Sequence, residues 1–242
     1  MHERFPTPVG PRLAWGIHVF TATGALCGMF GLIAINDNEP KAALLWLMAA
    51  LVIDGIDGPI ARRCQVKAAL PKVDGYALDL VIDFFTCVIV PALFIYNFHL
   101  LPDRVAVPAM AAIVLTSLFA FSRSDIQTYD NYFEGFPAMW NLVANTFFLV
   151  HTPRLVNVVV VVGLCALSMS SVKFPHPVRV SDNRAVTLPV TLAWFGTMTV
   201  LTIIYPTSVW WAQAVLLLAL GYFAALSVRR TLSDTHNVAP AF

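Results

Sequence analysis

Charge is scarce in this sequence. Lys, Arg, Asp and Glu make up 12% of its 242 residues, against about 25% in an ordinary globular protein. A water-soluble domain is therefore excluded as the fold. The charges that are present nearly cancel, leaving a net +1, so no basic surface for nucleic acid is expected. Cysteine is equally thin: Cys27, Cys64, Cys87 and Cys165 are scattered and form no Cys-x-x-Cys pair. That spacing excludes a thiolate zinc site and a disulfide framework, and reads as small apolar residues in a reducing setting. The opening Met-His-Glu-Arg-Phe-Pro-Thr-Pro lacks a basic region running straight into an apolar run with a cleavage site. The first apolar segment is therefore expected to remain as a helix. Long polar linkers are missing too, so a single membrane domain over residues 1–242 is expected, with the tail 232–242 disordered.

What fills the sequence is apolar residues, 58% of the total. They gather into eight segments, at about 13–35, 42–61, 76–99, 105–122, 136–151, 154–172, 185–205 and 208–228. Crossing about 30 Å of hydrocarbon takes about 20 apolar helical residues. The expected fold is all-α, a polytopic bundle of about eight transmembrane helices. With the N-terminus inside, twelve basic residues fall on inside segments: Arg4, Arg12, Arg62, Arg63, Lys67, Lys72, Arg123, Lys173, Arg179, Arg184, Arg229 and Arg230. Only Lys41, Arg104 and Arg154 fall outside. This bias puts both termini in the cytoplasm.

Four aspartates interrupt the second and third segments: Asp54, Asp57, Asp79 and Asp83. A carboxylate within a bilayer costs about 2.5–3.5 kcal/mol even on insertion scales, and so marks function. Asp54 and Asp57 are three residues apart, about 60° around one helix face, and Asp79 and Asp83 are four apart. Counted from Arg62 and from Gly75, both pairs lie roughly 6–12 Å below the cytoplasmic surface, so they can converge. Converging carboxylates need cations, and all-oxygen donors suit Mg²⁺ or Mn²⁺. Two such ions about 3.5–4 Å apart clamp a phosphoryl group. Gly55, Gly58 and Gly75 clear room for a ligand, Pro59 can free a backbone carbonyl, and Arg62 is placed for phosphate. The competing reading pairs the acids with Arg62, Arg63 and Lys67 in salt bridges.

The pattern Asp54-x-x-Asp57-Gly58-x-x-Ala61-Arg62, then Gly75-x-x-x-Asp79-x-x-x-Asp83, resembles the signature of the CDP-alcohol phosphatidyltransferase family. The twelve residues from Arg63 to Asp74 are more than most members carry, and resemble the bacterial phosphatidylcholine synthase branch. So do the segments Asp130-Asn131-Tyr132-Phe133-x-Gly135-Phe136-Pro137-x-x-Trp140-Asn141 and Phe174-x-His176-Pro177-x-Arg179. The resemblance implies that the four aspartates hold two divalent ions and that Asp83 is also the general base. It implies that Gly58, Ala61, Arg62 and Gly75 line the CDP part of CDP-diacylglycerol. The implied reaction joins choline to the phosphatidyl group and releases CMP, at a site facing the cytoplasm of a bacterial inner membrane. Family members are commonly homodimers.

Choline is a permanent cation, best met by aromatic faces and a carboxylate. Tyr132, Glu134, Trp140, Asp130 and Asn141 supply such groups, with Asp125 nearby; an interfacial aromatic belt explains the same residues. Arg123 and Arg179 fit lipid phosphate or simple topology. His18, Thr21 and Thr23 of the first segment are expected either to reach the nucleotide or the metal shell, Thr21 as a CDP contact, or to bond their own helix. Serine, inositol or glycerol phosphate as the alcohol, and a cation transporter, are the competing functions.

Overall fold

A computed structural model describes residues 8–123, 127–180 and 183–237, and its backbone divides into two compact units at Pro91–Ala92. Arg4, Asp125 and residues 238–242 lie outside the described residues. Six described helices are long and apolar enough to cross a membrane. The protein is a polytopic helical membrane protein.

The first unit begins with helix α1, Pro11–Asn36, and helix α2, Pro40–Arg63. Each has a proline in its first turn, where the missing N–H has no helical partner to lose. A tight turn joins them, with the N–H of Asp37, Asn38 and Glu39 donating to the carbonyls of Ile33, Ile35 and Ala34. α2 runs unbroken through Pro59, which leaves the Gly55 carbonyl without its usual i+4 donor. The one-turn helix α3, Val66–Ala69, leads to α4, Gly75–Asp83, which is capped by Asp74 accepting from the N–H of Tyr76 and Ala77. A π-helical stretch, Phe84–Ile89, and α5, Val90–Asn97, continue α4 without a break. Together they form one apolar span, Gly75–Asn97.

Small residues let α1 approach its neighbours closely, the usual device where lipid offers no hydrophobic drive to helix association. Gly24 faces Ile82, Gly28 faces Phe85 and Thr86, and Gly31 faces Val90. These contacts advance together along both chains, so α1 and the third span run parallel. α2 runs back between them in sequence, with Phe30 of α1 against Trp46. At the far end of α1, Ala14 and Ile17 close a small core with Val66, against which Ala61 packs.

The second unit contains α6 (Asp103–Phe121), α7 (Trp140–Val150), α8 (Arg154–Ser168), α9 (Arg184–Ile204) and α10 (Trp210–Asn237). Two of the eight expected spans come out short. α7 has 11 residues and α8 has 15, below the length that crosses a bilayer unaided. Pro137 and the left-handed Ala138 delay α7 until Trp140, and α8 ends before the chain turns extended. One short pair of strands accompanies the expected helical bundle. β1, Tyr132–Glu134, pairs antiparallel with β2, Lys173–Pro175, setting Phe133 opposite Phe174. Gly135 follows β1 at φ +88°, where a Cβ would lie 2.7 Å from the Ser168 carbonyl oxygen; only glycine fits. The tail expected to be disordered is helical as far as Asn237.

A Cβ on Gly28 would lie 2.5 Å from the Phe85 ring, whereas one on Gly16 meets nothing within 4 Å. Gly28→Ala is expected to cost about 1–3 kcal/mol through overpacking, and Gly16→Ala to gain about 0.5–1 kcal/mol. Thermal unfolding in detergent checks both. Equal midpoints for the two variants would contradict the close packing of α1 on the third span.

Candidate metal centre and nucleotide site

α2 and α4 bring the acids together. Carboxylate oxygens of Asp54, Asp57 and Asp79 all lie within 4.8 Å of one another. Asp57 is only 4% exposed, and Asp54 and Asp79 are half-buried. Asp83 sits one turn beyond Asp79, half-buried, and feels the charges of Asp54, Asp79 and Asp57. Three of the four acids expected to converge therefore lie together, with Asp83 one turn beyond them.

The donor set fits a hard cation. Two ligands on opposite sides of an Mg²⁺-sized ion stand about 4.2 Å apart, so a cluster spanning 4.8 Å closes on one with a small movement. Only oxygen donors are present in it, which disfavours soft metals. Asp83 is the last residue before the π-helical stretch, where Thr86 donates to the Ile82 carbonyl. Single π turns inside helices recur at functional sites, and nothing in the sequence signalled this one.

Around the acids, Ala61 is half-buried against the Ala14–Ile17–Val66 core, Gly58 is half-buried and Arg62 is exposed in the last turn of α2. Arg63 and Lys67, offered as salt-bridge partners for the acids, are exposed as well. Thr21 is buried and donates to the Ile17 carbonyl at 3.3 Å, the helix-bonding alternative. Gly75 has no space for a side chain, because the His18 ring occupies it: a Cβ there would lie 2.9 Å from His18 Cε1.

The residues expected to receive choline sit differently. Tyr132, Trp140 and Asn141 are 1%, 0% and 2% exposed. Trp140 Nε1 donates to Ser117 Oγ at 2.9 Å, and Asn141 Oδ1 accepts from the Leu142 N–H. Glu134 accepts from Lys173 Nζ at 2.9 Å, with Arg123 4.0 Å away. Asp130 accepts from Thr128 and, at 2.6 Å, from Arg230, which also pairs with Asp234 and stands over the Tyr132 ring. These groups make packing and ion-pair contacts within the second unit. Lys173 and Arg230, the partners responsible, are too distant in sequence for spacing to reveal. Arg123 also donates to the Glu134 carbonyl, tying it to β1, while Arg179 is exposed. His176 stacks on Phe133 and accepts from the N–H of Val178 and Arg179.

Burial alone would push the Asp130 carboxyl up, but the hydrogen bonds from Thr128 and Arg230 outweigh it and hold it below the ordinary carboxylate range. A group depressed in this way lends stability that is present above its unfolded value and lost as pH falls through its folded one. Arg230→Ala is expected to cost about 1.5–3 kcal/mol, as for losing a charged hydrogen-bond partner at a half-buried site. It should also flatten the loss of thermal midpoint on acidification below about pH 3.9. An unchanged pH profile in the variant would contradict that linkage. For the first unit, Mn²⁺ titration followed by electron paramagnetic resonance should show binding that Asp57→Asn weakens at least tenfold. Undiminished binding in that variant would remove Asp57 from the site.

Comparison with known proteins bears on this site directly. The profile of CDP-alcohol phosphatidyltransferases matches residues 18–171, which takes in all four aspartates. A phosphatidylcholine synthase of Pseudomonas aeruginosa is 39% identical over 228 residues, covering 94% of this chain and 96% of its own. One of Borreliella burgdorferi is 31% identical, covering 90% and 94%. One of Legionella pneumophila is 40% identical over 168 residues, covering 69% and 66%. The chain belongs to the CDP-alcohol phosphatidyltransferase family.

Proposed function

We propose that this protein transfers the phosphatidyl group of CDP-diacylglycerol to choline, giving phosphatidylcholine and CMP. The observation that carries the proposal is the convergence of Asp54, Asp57 and Asp79 from two apolar spans to within 4.8 Å, in a chain whose relatives are named phosphatidylcholine synthases over most of its length. Two Mg²⁺ or Mn²⁺ ions held by Asp54, Asp57, Asp79 and Asp83 would neutralise the diphosphate and the departing CMP.

The protein's own groups do the rest. An alcohol is a poor nucleophile until a positioned base accepts its proton. Asp83 fills that role, next to the cluster and one turn along α4. The choline oxygen bonds to the phosphorus that bears diacylglycerol, and the bond from that phosphorus to the bridging oxygen breaks. CMP leaves with the bridging oxygen, and the choline proton passes to Asp83 and then to water. Gly58 and Ala61 line the nucleotide, and Arg62, at the exposed end of α2, meets its phosphates. The basic-residue bias of the loops supports a site opening to the cytoplasm of a bacterial inner membrane.

The test is purified protein with CDP-diacylglycerol, Mn²⁺ or Mg²⁺ and a panel of labelled alcohols: choline, serine, inositol and glycerol phosphate. CMP release is expected to require choline and to match phosphatidylcholine formed. Release that ignores every alcohol, or that follows another member of the panel, sinks the proposal. Asp83→Asn should retain CDP binding and lose turnover by about 10²–10⁴-fold.

A further inference from the structure

His18 stands apart among the groups near the acids. It lies on α1, 8% exposed, and its Nε2 is fully buried without a hydrogen-bond partner among the described residues. A polar atom in that condition is costly to a folded protein, and such exceptions call for a purpose. Helix packing does not supply one, since an apolar side chain of the same size would fill the space without the penalty.

Its position suggests the purpose. The ring lies against Gly75, with Cε1 nearest and Nδ1 next, and the missing side chain at position 75 is what admits it. Asp79 is four residues farther along the same helix, about 6 Å up its axis. Ile17, the neighbour of His18, shares its core with Ala61. His18, Gly75 and Ala61 therefore form one tier, a single turn outside the acidic cluster and toward the Arg62 end of α2. In the transferase reading, Gly75 and Ala61 border the nucleoside of a diphosphate held at the acids.

We infer that His18 Nε2 hydrogen-bonds the nucleoside part of the nucleotide substrate, at the ribose or the base, and that Gly75 serves the nucleotide by making room for this ring. The inference rests on the transferase reading for the identity of the nucleotide.

The experiment measures CMP and CDP binding to purified protein in Mn²⁺, alongside the Michaelis constants for CDP-diacylglycerol and choline. His18→Leu should weaken CMP binding and raise the CDP-diacylglycerol requirement at least tenfold. Its choline requirement and Mn²⁺ affinity should stay unchanged, and without nucleotide its thermal midpoint should equal or exceed that of the wild type. His18→Gln, which returns an amide nitrogen near the Nε2 position, should recover most of the lost affinity. Full CMP affinity in His18→Leu overturns the inference, as does an equal loss in both variants. The two readings fail separately: wild-type protein that binds CMP through His18 but makes no phosphatidylcholine contradicts the choline reaction and leaves the nucleotide contact standing.

Discussion

Carboxylates crowded within 4.8 Å of one another on apolar helices repel, and the first unit is arranged around containing that repulsion. Asp57 is nearly shut off from solvent, so water screens its charge little. Two things hold α2 and α4 in place. One is the demand for a divalent cation that the acids create together. The other is α1, whose glycines at positions 24, 28 and 31 let it lie flush against the third span while its other side packs on α2. The scaffold is thus a clamp of small residues behind a cluster of like charges.

The second unit uses charge in the opposite sense. Its acids are matched by bases: Glu134 by Lys173 and Arg123, and Asp130 by Arg230. The short strands hold these partners in register, with Glu134 directly across from Lys173. Such groups fix the irregular chain between α6 and α7 where no regular helix could satisfy its backbone. Charge therefore gathers into a candidate metal centre in one unit and serves as a fastening in the other.

Much of this was legible in the residues. The Asp spacings and depths gave the convergence of three acids, and the run lengths gave six of the eight spans. What stayed hidden has a common physical origin. The π-helical turn after Asp83 depends on how Phe84–Ile89 packs, and no residue type announces it. Three-residue strands are too short for alternation to appear, so β1 and β2 read as an aromatic segment. The partners of Trp140, Glu134 and Asp130 come from positions 117, 173 and 230, which local spacing cannot find. The cap at Asp74 is legible as an Asp-Gly pair just ahead of an apolar run.

The bond between Arg230 and Asp130 joins residues 100 positions apart. A ribosome delivers the whole strand pair, β1 with β2, before it delivers Arg230. During synthesis the strands therefore wait, Asp130 lacking its guanidinium, until α10 has been made and inserted. The last helix acts as the latch on a segment born three helices earlier, and the order of insertion is written into which residue closes it.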